Sequence, residues 1–170
     1  MLITLINNAD TVKIACLAQL VNTIAPIMTE PKGRAWMQTT YYPFLFTSLN
    51  GRGTALKPQT DVPFYSSSGE KVPFVDCAAV LGANADELTL FLVNKNLEED
   101  IACETALFGA SFKSAIKWVT LCGYAPDAAN TADLSPVRPV YLTEVALGKN
   151  SLSCTLPKAS WNMLRLKLKD

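Results

Sequence analysis

The 170-residue sequence contains no histidine. That absence removes the Ser-His-Asp and Cys-His arrangements of nucleophilic catalysis. With no Cys-x-x-Cys pair either, no spacing suited to zinc is left. Acid–base chemistry within the chain would have to use carboxylates, Lys, Tyr or Cys. An excess of one charge is missing too: fifteen Lys and Arg balance fifteen Asp and Glu. The chain therefore has no electrostatic footprint for nucleic acid or for an anionic membrane, and neither is an expected partner. No apolar run approaches the roughly 18–20 residues that span a bilayer. The opening, MLITLINNADTVK, has neither a basic leading region nor a small-residue cleavage site, so it does not read as a secretory signal. The five cysteines (Cys16, Cys77, Cys103, Cys122, Cys154) are odd in number and scattered, mostly among apolar neighbours. Buried free thiols in a reducing compartment are the expectation, with a cytoplasmic location and no cofactor.

What is present is globular in character, 49% apolar and 18% charged. The length suits one ordinary domain, or one small domain plus a piece of another. Two architectures meet at Ile24 to Phe44, IAPIMTEPKGRAWMQTTYYPF. Ahead of it, MLITLINN reads as helical turns. Asp10 is placed to cap a second helix over about Thr11–Thr23. There Ile14, Leu17, Ala18, Val21 and Ile24 mark one face at a 3.6-residue period, with Val12, Cys16 and Leu20 as a second apolar flank. So apolar a helix needs a larger body around it.

The junction itself reads as a buried strand over Ile24–Glu30, a loop at Pro31–Gly33 and a third helix from about Ala35 to Asn50. Pro43 is tolerated there only in a first turn. Asn50-Gly51-Arg52-Gly53 ends it, with Gly51 suited to a left-handed position.

Beyond Gly53 the pattern becomes β. Residues 54–69 read as extended, a connecting strand and a loop. Strands are expected over 72–82, 87–96, 100–109 and 114–123, with a long polar loop at 124–140. A hairpin-like pair, 151–157 and 160–168, closes the chain. Leu88, Leu90 and Leu92 alternate with Thr89, Phe91 and Val93. Short strands at this spacing argue a β-sandwich.

Few residues carry chemistry. Glu98-Glu99-Asp100 and Asp86-Glu87 lie in turns, where adjacent acids seldom converge, so both read as solvated loops. Glu30 sits at the C-terminal end of the expected strand, where barrel enzymes place carboxylates. It has no second carboxylate at the separation that glycoside hydrolysis requires. Trp36 and Gln38 form the best ligand signal, with Arg34, Tyr41 and Tyr42 beside them. An aromatic face stacks on the C–H-rich side of a sugar, and an amide both donates to and accepts from hydroxyls. The competing reading makes these aromatics core residues.

The run DTVKIACLAQLVNTIAPIMTE, followed by AWMQTTYYPF, closely resembles glycoside hydrolase family 51, the α-L-arabinofuranosidases. ELTLFLVNKNLEED, ANTADLSPVRPV and LPKASWNMLRL continue that resemblance in order. Ala110–Gly123 and Tyr141–Ser151 alone look idiosyncratic. The resemblance implies a (β/α)8 catalytic barrel joined to a jelly-roll-like β-sandwich, and hydrolysis of terminal α-L-arabinofuranosyl groups with retention by two barrel glutamates. Neither glutamate motif occurs here, so no catalytic residue is assigned.

On this comparison residues 1–53 are the last part of the barrel, helices plus one strand, and residues 54–170 are the C-terminal all-β sandwich. The fold class is then mixed. The intact AW-x-Q-T motif assigns Gln38 to the arabinose subsite, and Trp36 follows as a wall of that site. The function implied is the C-terminal part of an arabinofuranosidase, inactive alone, whose partners are an arabinofuranosyl saccharide and the missing barrel portion or further copies of the chain. Without such a partner residues 1–53 are expected to be poorly ordered. The alternative is a stand-alone, non-catalytic sandwich module that binds carbohydrate or a protein.

Overall fold

The computed structural model describes residues 1–169. Its elements in chain order are α1 (Leu2–Asn7), β1 (Ile27–Thr29), β2 (Ala35–Met37), α2 (Tyr41–Asn50), β3 (Thr54–Leu56), β4 (Phe64–Ser67), β5 (Glu70–Pro73), β6 (Val75–Leu81), β7 (Glu87–Asn94), β8 (Ile101–Ala106), β9 (Phe112–Leu121), β10 (Val140–Leu142), β11 (Ala146–Leu147), β12 (Ser151–Leu156) and β13 (Ser160–Leu168). A six-stranded antiparallel sheet runs β10-β9-β13-β7-β6-β3 and a three-stranded sheet runs β11-β12-β8, while β1-β2 and β4-β5 stand as separate two-stranded ribbons. The chain is thus mostly β with few helices, as a sandwich requires.

The alternation read in the sequence decides the layers. Leu88, Leu90 and Leu92 of β7 join Leu164 and Leu166 of β13 and meet Leu152, Cys154 and Leu156 of β12 in the core between the sheets. Phe91 of β7, Val119 of β9 and Met163 of β13 point the other way, where Ile3 of α1 and Phe46 of α2 cover them. The central strands are therefore apolar on both faces because both faces are covered, by a second sheet on one side and two helices on the other. Phe91, Met163, Leu164 and Leu166 are each 0% exposed, and burial of such a side chain stabilises by roughly 1.5–3 kcal/mol.

Polar groups inside this core are paired. Trp118 Nε1 donates to Asn162 Oδ1 (3.1 Å), and Asn162 Nδ2 donates to Ser160 Oγ (2.8 Å). Asn94 Nδ2 donates to the carbonyls of Glu99, Leu156 and Pro157 at 3.1–3.2 Å. These bonds remove the desolvation penalty of burying amides and tie the 95–100 turn to the end of β12.

Several expectations are corrected. Residues 11–23 form no helix: Ile14 is 83% and Leu20 82% exposed, and a short helix with no apolar partner lacks the packing that stabilises helices in proteins. Ala35–Met37 is a strand, not the start of a helix. It pairs antiparallel with β1, Met28 opposite Trp36, because the Pro31–Gly33 turn folds the chain straight back. Helix α2 begins at Tyr41, so Pro43 lies in its first turn, where its missing N–H costs nothing. The closing pair is also not a hairpin. β12 pairs with β8 and β11, whereas β13 pairs with β7 and β9. The Pro157–Ala159 turn carries the chain from one sheet to the other.

At the end of α2, Gly51 has φ −92° and caps through its N–H on Thr47 O (2.7 Å). The left-handed assignment belongs to Gly53 instead, at φ +139°, where a Cβ would run into the Leu81 carbonyl. In residues 1–53, α1 and α2 are seated on the sheet through Ile3 and Phe46, whereas Ile14, Leu20 and Ile24 lie exposed. An end of a (β/α)8 barrel is not visible in this arrangement, whose two short strands run antiparallel.

Candidate functional site

The β1-β2 ribbon is shaped by its own turn. Gly33 N–H donates to Glu30 O (3.0 Å), and Glu30 N–H donates to Arg34 O (2.9 Å). Asn22 braces the base, with its Oδ1 accepting from Thr29 N–H at 2.7 Å. Facing the ribbon is the long 124–140 loop of the sandwich. Asn130, 2% exposed, donates through Nδ2 to Met37 O and to Val137 O (2.9 Å each) and accepts from Val137 N–H at 2.9 Å. Arg34 reaches the same loop, with Nη1 at 2.7 Å from Asp133 Oδ1 and 3.2 Å from Ala132 O, and Glu30 Oε2 lies 3.4 Å from its Nε. The bond to Asp133, then the one to Glu30, raises the Arg34 pKa.

Between ribbon and loop lies a cleft of about 490 Å³, lined by Trp36, Tyr42, Ala132, Ser135, Arg138 and Tyr141 among others. Arg138 is held by a bond from its Nε to Ser135 O (3.0 Å) and by its N–H to the Tyr124 hydroxyl (3.1 Å), while that hydroxyl donates to Arg138 O. Trp36 is half-buried, and its indole nitrogen is fully enclosed without a hydrogen-bond partner. A buried N–H left unpaired costs about 1–3 kcal/mol. Three aromatic rings, a guanidinium and a serine hydroxyl around one hollow suit a ligand with both C–H faces and hydroxyl groups.

Of the residues singled out from sequence, Trp36 and Tyr42 line this cleft. Gln38 stands just past the end of β2 and outside the lining, its N–H on Pro26 O (2.8 Å) and its carbonyl accepting from Tyr41 N–H (3.0 Å). Tyr41 packs edge-on against Tyr42, centroids 5.6 Å apart. Glu30 is paired with Arg34, whose guanidinium also holds Asp133. The two acidic turns have structural partners. Glu87 pairs with Arg165 and Asp86 with Lys167, at 2.5 Å each. Asp100 Oδ1 accepts from Lys158 N–H at 2.8 Å. No group of three or more His, Cys, Asp or Glu able to hold a metal ion occurs among the described residues, and no helix among them is long and apolar enough to cross a membrane.

Asn130, Asp133, Arg138 and Tyr141 were not singled out from sequence. For Asn130, Asp133 and Arg138 the available signal was the length of their loop, since a structureless connection of this size in a compact domain is commonly functional; Tyr141 follows it on β10.

The chain is thus mostly β, with an aromatic-lined cleft between the β1-β2 ribbon and the 124–140 loop. The alpha-L-arabinofuranosidase C-terminal domain family matches residues 1–160, and the chain belongs to that family. The intracellular exo-alpha-(1→5)-L-arabinofuranosidase of Halalkalibacterium halodurans is 41% identical over 167 residues, which are 98% of this chain and 33% of that protein. The enzyme of Bacillus subtilis named intracellular exo-alpha-(1→5)-L-arabinofuranosidase 1 is 40% identical over 168 residues, with the same shares. Among solved structures, a family 51 alpha-L-arabinofuranosidase from Bifidobacterium longum superposes with a TM-score of 0.88 at 34% identity, covering 96% of this chain and 32% of that one. The chain thus spans about one third of the length of the relatives it matches.

Proposed function

We propose that this chain is the C-terminal part of a retaining α-L-arabinofuranosidase. It would complete an arabinofuranose-binding site whose two catalytic glutamates lie in a barrel portion outside this sequence. In that reading residues 1–53 are the closing segment of the barrel and residues 54–170 its sandwich domain. The β1-β2 ribbon stands at the site, with Trp36 as a wall and Gln38 binding a sugar hydroxyl. The observation that carries the proposal is the Trp36 ring lining the cleft beside the 124–140 loop, on a ribbon that Asn130 and Arg34 hold in place from the sandwich. The exposed Ile14, Leu20 and Ile24 would be covered by the rest of the barrel. The names of the relatives at 40–41% identity point to terminal α-(1→5)-linked arabinofuranose as substrate and to an intracellular setting.

The test is hydrolysis of an aryl α-L-arabinofuranoside. It is run with the purified chain alone, and again with the first two thirds of the Bacillus subtilis relative supplied in trans. Turnover only in the mixture supports the proposal. Turnover by the chain alone that disappears in Glu30→Gln overturns it, because the chain would then hold its own carboxylate machinery. Binding of arabinan by the chain alone, with no gain on mixing, would favour a stand-alone carbohydrate-binding module.

A further inference from the structure

Three cysteines of the sandwich lie close together at its core: Cys77 on β6, Cys103 on β8 and Cys154 on β12. They are not equivalent. Cys103 and Cys154 stand directly opposite each other in the β8-β12 ladder. The class of this cross-strand pair follows from the ladder's end. Leu107 N–H donates to Asn150 O at 2.8 Å, which marks that position as a hydrogen-bonded pair. Pair types alternate along an antiparallel ladder, so the Cys103–Cys154 position, four steps further on, is of the same type. Its Cα atoms are then about 5.5 Å apart, inside the window of about 4.4–6.8 Å that a disulfide spans.

The environment separates nucleophile from partner. Cys103 is half-buried whereas Cys154 is 8% exposed, so Cys103 is the more accessible sulfur, and the Thr105 hydroxyl lies 3.9 Å from it. Its pairing with Cys154 and the Thr105 hydroxyl lower its pKa against the opposing effect of burial. The pairing with Cys103, together with burial, raises the Cys154 pKa. Cys77 is pushed up to about 12 by burial and stays a protonated, inert thiol. Cys103 and Cys154 also line a cleft of about 890 Å³ together with Trp118, Glu144 and Val145, a route by which a small reagent reaches them.

We propose that Cys103 and Cys154 form a reversible dithiol–disulfide couple oxidised by low-molecular-weight disulfides, with Cys103 as the attacking sulfur and Cys154 as the resolving one. In the first step the Cys103 thiolate attacks one sulfur of the oxidant. A bond forms between Cys103 and that sulfur as the oxidant's own S–S bond breaks, and one small thiolate leaves. In the second step Cys154 gives up its proton and its sulfur attacks Cys103. The Cys103–Cys154 bond forms, the mixed disulfide breaks, and a second small thiolate leaves. Two protein thiols lose two electrons and two protons, and one disulfide is reduced to two thiols.

The test uses the full chain with Cys16→Ser, which removes the exposed thiol, equilibrated under native conditions with glutathione disulfide. The expected product is lighter by two hydrogens, about 2 Da, and returns to the starting mass with dithiothreitol. Tryptic mapping should join segment 96–113 to segment 150–158, which hold Cys103 and Cys154. Adding Cys154→Ser should arrest the reaction at a glutathione adduct of about 305 Da on Cys103, whereas Cys103→Ser should leave Cys154 unmodified. An unchanged mass for the C16S chain, a cross-link that contains Cys77 or Cys122, or an adduct on Cys154 in the Cys103→Ser variant each overturns the proposal. The mass and map of the C16S chain decide the matter even if a core cysteine variant fails to fold.

Discussion

Asn130 Nδ2 donates to Met37 O across 2.9 Å, joining two residues 93 positions apart. The donor belongs to the long loop of the sandwich and the acceptor to the last residue of β2. With the bonds to Val137 on the same side chain, this amide sets the ribbon against the sandwich and so determines the width of the Trp36 cleft.

Replacing Asn130 with Ala leaves the Met37 carbonyl and both backbone groups of Val137 without these partners. A loss of about 1–3 kcal/mol of unfolding free energy is expected, read from urea denaturation. Amide exchange should accelerate in the 124–140 loop and in β1-β2 ahead of β7 and β13. Uniform acceleration across all strands would show that Asn130 serves general stability and not the placement of the ribbon.

Leu164 of β13 is 0% exposed and lies between the two sheets. Leu164→Ala should cost about 2–5 kcal/mol through lost transfer energy and the cavity left behind. A chemical-denaturation midpoint within error of the parent would mean that the sheets close over the gap.

At the end of the β7-β13 pair, the Lys167 ammonium holds the Asp86 carboxyl below its ordinary value of 3.8, chiefly by hydrogen bonding, which outweighs desolvation, with its charge adding a lesser part. A depressed folded-state pKa contributes stability that is fully present above the unfolded value and is lost as pH falls through the folded one. Wild type should therefore melt above Asp86→Asn at neutral pH, and the gap should close as pH drops from 3.8 downward. Melting curves across that range check the sign. A gap that widens on acidification would contradict the assignment. The effect should be small and weakened by salt, since the pair is partly open to solvent.

In the mixture with the first two thirds of the Bacillus subtilis relative, Gln38→Ala should lower kcat/KM by about 10–100-fold, the cost of one or two hydrogen bonds to a sugar hydroxyl. Trp36→Phe, which keeps the ring face and removes the indole N–H, should lower it by a smaller factor. Unchanged kinetics in both variants would move the arabinose contacts elsewhere along the cleft.

The period-two alternation of 87–96, 100–109, 114–123 and 160–168 determined strands, and they form where the sequence placed them to within a few residues. Side-chain direction in a strand is a local property, so the split of Leu88, Leu90 and Leu92 from Phe91 was legible as well. Trp36 and Tyr42 were also legible as candidates from their residue types.

Pairing was not local and was not legible. That β12 and β13 part company at Pro157 depends on which distant strand each one meets, and a three-residue turn between two apolar strands also suits a hairpin. The residues 11–23 failed as a helix for the opposite reason. Their 3.6-residue period records a face meant to be covered, and a period alone cannot supply the cover. The cleft likewise needed the tertiary structure, because Asn130, Asp133 and Arg138 enter it from a loop without periodicity. What the sequence by itself determined was the conformation each stretch prefers and the side it buries. What only the tertiary structure decided was which buried sides meet, since that is settled by packing and hydrogen bonding between residues far apart along the chain.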